Sequence, residues 1–224
     1  MSSTHHPGES DKPVVVIGAG GHARVLISLL KLLNRPIVGL LDSDEAKVAL
    51  PWTIDGIEVT GEIESVTDHR PDEVELVHAI GSIRKPQGRR WMYRLMKDKG
   101  YTFATLIHPS ATVAVEAELG EGVQLLACAV IQPGVSLEEN VLVNTRASVD
   151  HDTIVGAHTH LAPGATVCGG CEIGPCTHVG AGATVTSDLE IGEEATIGAG
   201  ATVIRDVPSG SVVVGTPARS IEKT

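Results

Sequence analysis

The chain has 224 residues and a formal net charge of −11, so it is long enough for two separate cores and too acidic for a nucleic-acid groove. Only 2% of its residues are aromatic against 42% hydrophobic overall, which leaves its cores to aliphatic and small side chains. Neither a secretory leader nor a membrane-spanning run is read in the sequence, and a cytoplasmic, membrane-free protein is the expectation.

Residues 1–12 are polar, with Gly and Pro, and read as a disordered tail in which His5 and His6 carry no inference. Val14 to Ile17 is a short buried strand that runs into Gly18-Ala19-Gly20-Gly21-His22-Ala23 and then an apolar helix, Arg24 to Leu33. Pro36 to Leu41 is a second strand ending at Asp42. A loop with Pro51 and Trp52 leads to a short strand around Ile57 to Val59, and Glu62 to Asp68 reads as helical. Val74 to Ile80 is another buried strand, closed by Gly81-Ser82. Gln87 to Lys99 is a basic helix ended by Gly100, and Tyr101 to Leu106 is a last strand. Strands alternating with helices over residues 13–106 predict a small parallel α/β layer with a nucleotide crevice at the strand C-terminal ends.

The glycine loop fits G-x-G-x-x-A between a strand and a helix. Gly18, Gly20 and Gly21 would let backbone N–H groups approach a phosphate at the helix N-terminus. Asp42 could hold a ribose-type hydroxyl, and His22 could reach a ligand from the first helical turn or simply face water. About 95 residues make only one half of a dinucleotide fold, which favours a mononucleotide or nucleotide-sugar over NAD. The competing reading is a tight turn with no ligand. Arg84, Lys85, Arg89 and Arg90 follow Gly81 and could grip a diphosphate, or form a solvated helix face.

From Ile107 to Val203 every sixth residue is Ile, Leu or Val, and four places after each lies a second column of mostly small residues, from Ala111 through Ala147 and Cys171 to Ala201. A period of six excludes an amphipathic α-helix and marks a parallel β-helix over residues 107–224. It has seventeen rungs; the three-sided coil that the resemblance given below implies makes between five and six coils of them, with residues 18 apart stacked. Gly174, Gly180, Gly192 and Gly198 follow the aliphatic position directly, and Pro133, Pro163 and Pro175 come one place later, where a turn suits them.

Within this repeat Val149 points inward and His151-Asp152 occupies the next corner, an imidazole and carboxylate suited to general-base work. One coil above lies Gly169-Gly170, whose bare backbone leaves space for a slender ligand and whose Gly169 N–H could stabilise an oxyanion. His160 and His178, also 18 apart, are expected to stack on one corner. Cys168 and Cys171 have the spacing of a zinc pair, but no second pair follows, and the four cysteines read as structural.

These residues carry a resemblance. Gly18-Ala19-Gly20-Gly21-His22, Ala79-Ile80-Gly81, Ile107-His108-Pro109-Ser110-Ala111, Val143-Asn144-Thr145, Val149-Asp150-His151-Asp152, His160 and Val214-Gly215-Thr216-Pro217-Ala218-Arg219 resemble the bacterial sugar O-/N-acyltransferases of the sialic acid O-acetyltransferase type. That group includes the nucleotide-linked amino-sugar N-acetyltransferases. The resemblance implies a Rossmann-like N-terminal domain joined to a three-sided, left-handed β-helix. It implies acetyl transfer from acetyl-CoA, without a metal, to the amino group of a nucleotide-linked sugar of the 4-amino-4,6-dideoxy type. His151 would be the base and Asp152 its orienting partner. Asn144 and His160 would lie near the reacting groups, Arg89 at a basic nucleotide-side position, and Gly215 to Arg219 near the nucleotide end of CoA. The family forms homotrimers with active sites between adjacent prisms. O-acetylation of sialic acid or another sugar hydroxyl is the alternative within the class. Outside it stand a zinc-dependent carbonic anhydrase using His151, His158, His160 and His178, and a non-catalytic nucleotide-sugar sensor.

Overall fold

A computed structural model describes residues 10–49, 52–81 and 86–221. Most of the expected tail, Pro51, Arg84 and Lys85 lie outside the described residues. By its backbone contacts the chain divides into two compact units. One holds the chain through Gly81 together with Trp91–Ala104; the other holds Ser82–Arg90 together with everything from Thr105 onward.

The first unit is a five-stranded sheet. Its strands are β1 (Val14–Ile17), β2 (Ile37–Leu41), β3 (Thr53–Ile54), β4 (Ile57–Gly61) and β5 (Glu75–His78), in the order β3-β4-β2-β1-β5. All neighbours run parallel except β3, which is antiparallel to β4. β1 lies between β2 and β5, and its Val-Val-Val-Ile sequence is buried throughout, as a central parallel strand requires. The helix α1 (Gly21–Leu32) buries Ala23, Leu26, Ile27 and Leu30, one face of a 3.6-residue period. It stops where Asn34 turns left-handed at φ 53°. A short helix α2 (Glu45–Val48) and strand β3 escape the sequence reading, being too short for any period to show. Residues Ile63–Asp68 form a 3₁₀ turn. The Tyr101 hydroxyl donates to the carbonyls of Val66 and His69, both at 2.7 Å.

Tyr101 to Leu106, expected as one strand, is split. Leu76 N–H donates to Thr102 O and Leu76 O accepts from Ala104 N–H, giving a single bridge at Phe103. Leu106 N–H then donates to Val123 O and begins the coil. The basic helix α3 runs over Pro86–Asp98.

The second unit is a left-handed β-helix of two-residue rungs on three parallel sheets. Each rung pairs with those 18 residues away, as Ser148–Val149 does with Val130–Ile131 and Thr166–Val167. The second residue of each rung points inward; Val149, Val155, Leu161 and Val179 are fully buried, and so are Ala147, Ala165 and Cys171 of the small column. The outward residues give each face a character. One carries Thr112, Ser148, Thr166, Thr184 and Thr202, a second Glu118, Glu172 and Glu190, and the third Gln124, Leu142, His160 and His178.

Every sixth residue from Gly122 to Gly200 has positive φ, and eight of these are not glycine, among them Asp152 at 56° and His158 at 63°. This column sits three places after the inward aliphatic and closes each corner. The glycines immediately after the aliphatic do something else. A Cβ on Gly174 would lie 2.5 Å from the backbone N of Glu193 one coil on, so absence of a side chain is what lets the coils stack there.

Candidate active site

Two groups of expected site residues form, one in each unit. In the first, the loops after β1, β2 and β5 meet at the carboxyl ends of adjacent strands, where a parallel sheet opens a crevice. Gly18 donates its N–H to Leu41 O at 2.7 Å, and Ala79 N–H donates to Ile17 O at 2.8 Å. Gly18 has φ 104°, and a Cβ there would press at 3.2 Å on the Ala79 carbonyl carbon and on Ile80 Cγ1. It is therefore a packing glycine. Gly20 and Gly21 differ: both are exposed, and a Cβ on either meets nothing within 4 Å. Gly20, the N-cap residue, has no side chain of its own to cap α1. Gly81 is exposed and half-buried His22 opens the first turn of α1.

Asp42 is 8% exposed, and its carboxylate holds the glycine loop. It accepts from Ala19 N–H at 2.5 Å, Asp44 N–H at 2.9 Å and Lys47 Nζ at 3.1 Å. Burial pushes its pKa up, but the bonds from Ala19, Asp44 and Lys47 outweigh burial, and the net shift is downward. A ligand hydroxyl would have to share these oxygens. Lys47, on the unforeseen α2, is a residue the sequence reading missed.

In the second unit the corner of His151 is built as its sequence suggests. His151 Nδ1 lies 2.9 Å from Asp152 Oδ2, both side chains largely in solvent. The bond from Asp152 raises the imidazole pKa; slight desolvation opposes this, and the charges of Asp150, Asp152 and Asp188 reinforce it. Nε2 is thus the position left for taking a proton. The space above, expected to admit a ligand, is filled by the imidazole itself. A Cβ on Gly169 would lie 2.6 Å from His151 Cε1 and Nε2, so the missing side chain makes room for the ring. The Gly169 N–H meets no acceptor among the described residues. Asp152 folds over Gly134 and Asp188 over Gly170 in the same way. Asp188 was legible only as a position 18 residues beyond Gly170, and the reading missed it.

His160 and His178 are not on a corner, contrary to expectation. They are register partners on the third face, with ring centroids 5.0 Å apart and edge to face. The period of six places both at the outward position of a rung, immediately before an inward Leu161 or Val179. Burial lowers the pKa of His178. Asn144 Nδ2 lies 3.2 Å from His160 Nε2, so these two expected residues do meet. They do not meet His151, because the glutamate face lies between its corner and the rung of His160. His158 pairs with Asn140 across 3.0 Å.

Arg89, read as a diphosphate ligand, is fully enclosed. Its guanidinium donates to Asn140 O at 3.4 Å, and burial lowers its pKa to about 9. In this arrangement the guanidinium lies at the corner where Asn140, His158, Cys176 and Glu194 stack. Arg90 adds contacts to Cys176 Sγ at 3.9 Å and Glu194 at 3.8 Å. At the far end of the prism Val212–Val214 and Arg219–Ile221 form an antiparallel pair. Gly215 O accepts from Thr202 N–H at 3.0 Å, and Arg219 is exposed. Thr202 is three coils beyond Ser148, about 14 Å at the spacing of paired strands.

Residues 13–90 match the PglD N-terminal domain, and residues 152–187 match the bacterial transferase hexapeptide (six repeats). UDP-N-acetylbacillosamine N-acetyltransferase of Bacillus subtilis (strain 168) is 36% identical over 123 residues, which is 52% of this chain and 52% of that relative, so the match spans about half its length. The acetyltransferase domain of PglB from Neisseria gonorrhoeae FA1090, solved with acetyl coenzyme A, is 32% identical, with a TM-score of 0.86 over 95% of this chain and 100% of that one. PerB from Caulobacter crescentus, solved with CoA and GDP-perosamine, is 33% identical, with a TM-score of 0.87 over 95% and 99%. With a glycine-loop α/β unit, a hexapeptide prism and full-length likeness of this order, the chain belongs to the acetyl-CoA-dependent hexapeptide-repeat sugar acetyltransferases with a PglD-type N-terminal domain.

Proposed function

We propose that this protein transfers the acetyl group of acetyl-CoA to the amine of a nucleotide-linked amino sugar of the 4-amino-4,6-dideoxy type. The observation that carries the reading is the His151–Asp152 pair, with its 2.9 Å bond and the ring laid across Gly169. The first unit binds the nucleotide portion at Gly18, Gly20, Gly21, His22, Asp42 and Gly81. In the second, His151 Nε2 takes a proton as the amine attacks the thioester carbon. The Gly169 N–H donates to the developing oxyanion, and CoA leaves as its thiolate. Asp152 holds the imidazole in the tautomer that leaves Nε2 basic. Asn144 and His160 position the acyl group, and Gly215 and Arg219 serve the nucleotide end of CoA.

The protein acts as a homotrimer, in the cytoplasm, where acetyl-CoA and nucleotide sugars are both at hand. A hydroxyl acceptor, as in the sialic acid O-acetyltransferases, is the less favoured reading, because the Bacillus subtilis relative named above is an N-acetyltransferase. A free amine also needs less activation than a hydroxyl. The test is thiol release from acetyl-CoA in the presence of UDP-, GDP- and CMP-linked amino sugars and their hydroxyl counterparts. Turnover with a hydroxyl sugar but with no amino sugar would reverse the assignment.

A further inference from the structure

The corner above His151 carries a pattern that acetyl transfer does not use. Cys168, Gly169, Gly170 and Cys171 follow one another there, a C-x-x-C sequence, and all four cysteines of the chain are free thiols. Its two central glycines are the ones overlain by the His151 ring and by Asp188. Cys168 is half-exposed. Cys171 is buried, and its thiol donates to Thr186 O at 3.2 Å. Gly170 has φ 72° and turns the chain within these four residues. A four-residue turn brings its end Cα atoms within about 7 Å, which covers most of the span that a disulfide bridges. Burial raises the Cys171 thiol pKa, and the nearby Cys168 raises it further. The pair is thus divided into an accessible thiol and a buried partner.

We propose that Cys168 and Cys171 form a reversible thiol–disulfide site that disables the His151 corner when it closes. A peroxide oxygen is attacked by the Cys168 thiolate, which becomes a sulfenic acid as hydroxide leaves and is protonated to water. Cys171 then attacks that sulfur, the S–S bond forms and a second water leaves. Two thiols lose two electrons and two protons, and the peroxide is reduced to two waters. A small dithiol reverses the bond by exchange.

The consequence for catalysis rests on the reading of His151 as the base. Cys171 belongs to the inward small column, whereas Cys168 is on the turn. Joining them requires the Gly169–Gly170 peptide to swing, and glycine at both positions permits it. There is no free space between Gly169 and His151, since even a methyl group would lie 2.6 Å from the imidazole. The swing therefore displaces the His151 ring and redirects the Gly169 N–H.

The test treats the full chain and a Cys168→Ser variant with hydrogen peroxide, removes the oxidant, and measures both peptide masses after alkylation and thiol release. In the native chain the peptide spanning both cysteines should lose two hydrogens and resist alkylation. Its kcat should fall by more than about tenfold, in keeping with loss of a positioned base, and dithiothreitol should restore both. Cys168→Ser should begin near the native rate and keep it through oxidation. The disulfide is read by mass, so it stands or falls separately from acetyl transfer. Failure of the bond to form, a bond that leaves kcat unchanged, or equal inactivation of Cys168→Ser overturns the proposal.

Discussion

His151 is exposed, yet two neighbours fix its ring: Asp152 at Nδ1 and the bare backbone of Gly169 one coil above it. Replacing it by Ala should cost roughly 10²–10⁴-fold in kcat, the usual worth of a positioned base, and should leave acetyl-CoA affinity nearly intact. Retention of more than about a tenth of the native kcat would remove His151 from the role. The pH profile gives a sharper reading. The base works in its neutral form, so the rate falls as pH drops through an imidazole pKa that the Asp152 bond has raised. Asp152→Asn removes that charge and should move the acid limb of kcat to lower pH while lowering the plateau. Asn also tolerates the left-handed turn at φ 56°, so the corner should survive. An acid limb that stays in place would show that another group titrates. The dyad was legible because its partners are sequence neighbours inside a regular repeat. Gly169 was legible as the position one coil above, but not that the ring would lie against it, because sequence spacing does not show which way a ring will fold.

The glycine loop separates packing from function within one element. Gly18→Val forces a β-branched residue into φ 104° against Ala79 and Ile80, and should destabilise the protein by about 1–3 kcal/mol. At Gly20 a Cβ meets no atom of the described residues within 4 Å, and the backbone is extended at φ −96°. Gly20→Val should fold normally and raise the KM for the nucleotide-sugar while sparing acetyl-CoA. Urea unfolding with steady-state kinetics on both variants distinguishes the two; an unchanged sugar KM in folded Gly20→Val would move the sugar site elsewhere. Asp42 adds a pH signature to the same loop. Its lowered pKa means that its contribution to stability is complete above the ordinary value of 3.8 and is lost as pH falls through the lower folded value. Asp42→Asn should therefore be less stable than the native chain at neutral pH and should approach it only as pH falls below that lowered value; a gap that persists once the carboxyl is protonated would rule out the charge as its cause. The sequence showed these glycines as a motif. It could not show that one packs on the residues just after β5 and another lies exposed, since β5 follows some sixty residues later. The repeat was more transparent, because each coil meets only its neighbours and the aliphatic column records every rung. The left-handed column from Gly122 to Gly200 was written in the same period but obscured, because more than half of its residues are not glycine.

At the level of the whole molecule, the β-helix leaves its expected catalytic residues on separate sides. His151 and Asp152 occupy one corner, Asn144 and His160 meet on the third face, and the glutamate face lies between them. If the proposed roles hold, both groups reach a single acyl group when two prisms lie side by side, with the corner of one facing the histidine face of the next. A cyclic trimer repeats that contact three times and closes. Light scattering should accordingly give three times the 23.3 kDa chain mass, and a stable, fully active monomer would refute the arrangement. Mixed assemblies test the shared site directly. His151→Ala and the double variant Asn144→Ala/His160→Ala should each be severely impaired alone. If every site takes one group from each of two protomers, trimers assembled from equal amounts of the two should regain about a quarter of native sites, since random neighbours are both intact at the required positions with that frequency. If each site belongs to one chain, every chain carries a lesion and no native site can form. Recovery well above the mean of the separate variants supports the shared site. Activity no higher than that mean would confine each site to one protomer and require Asn144 and His160 to act elsewhere than at the acyl group.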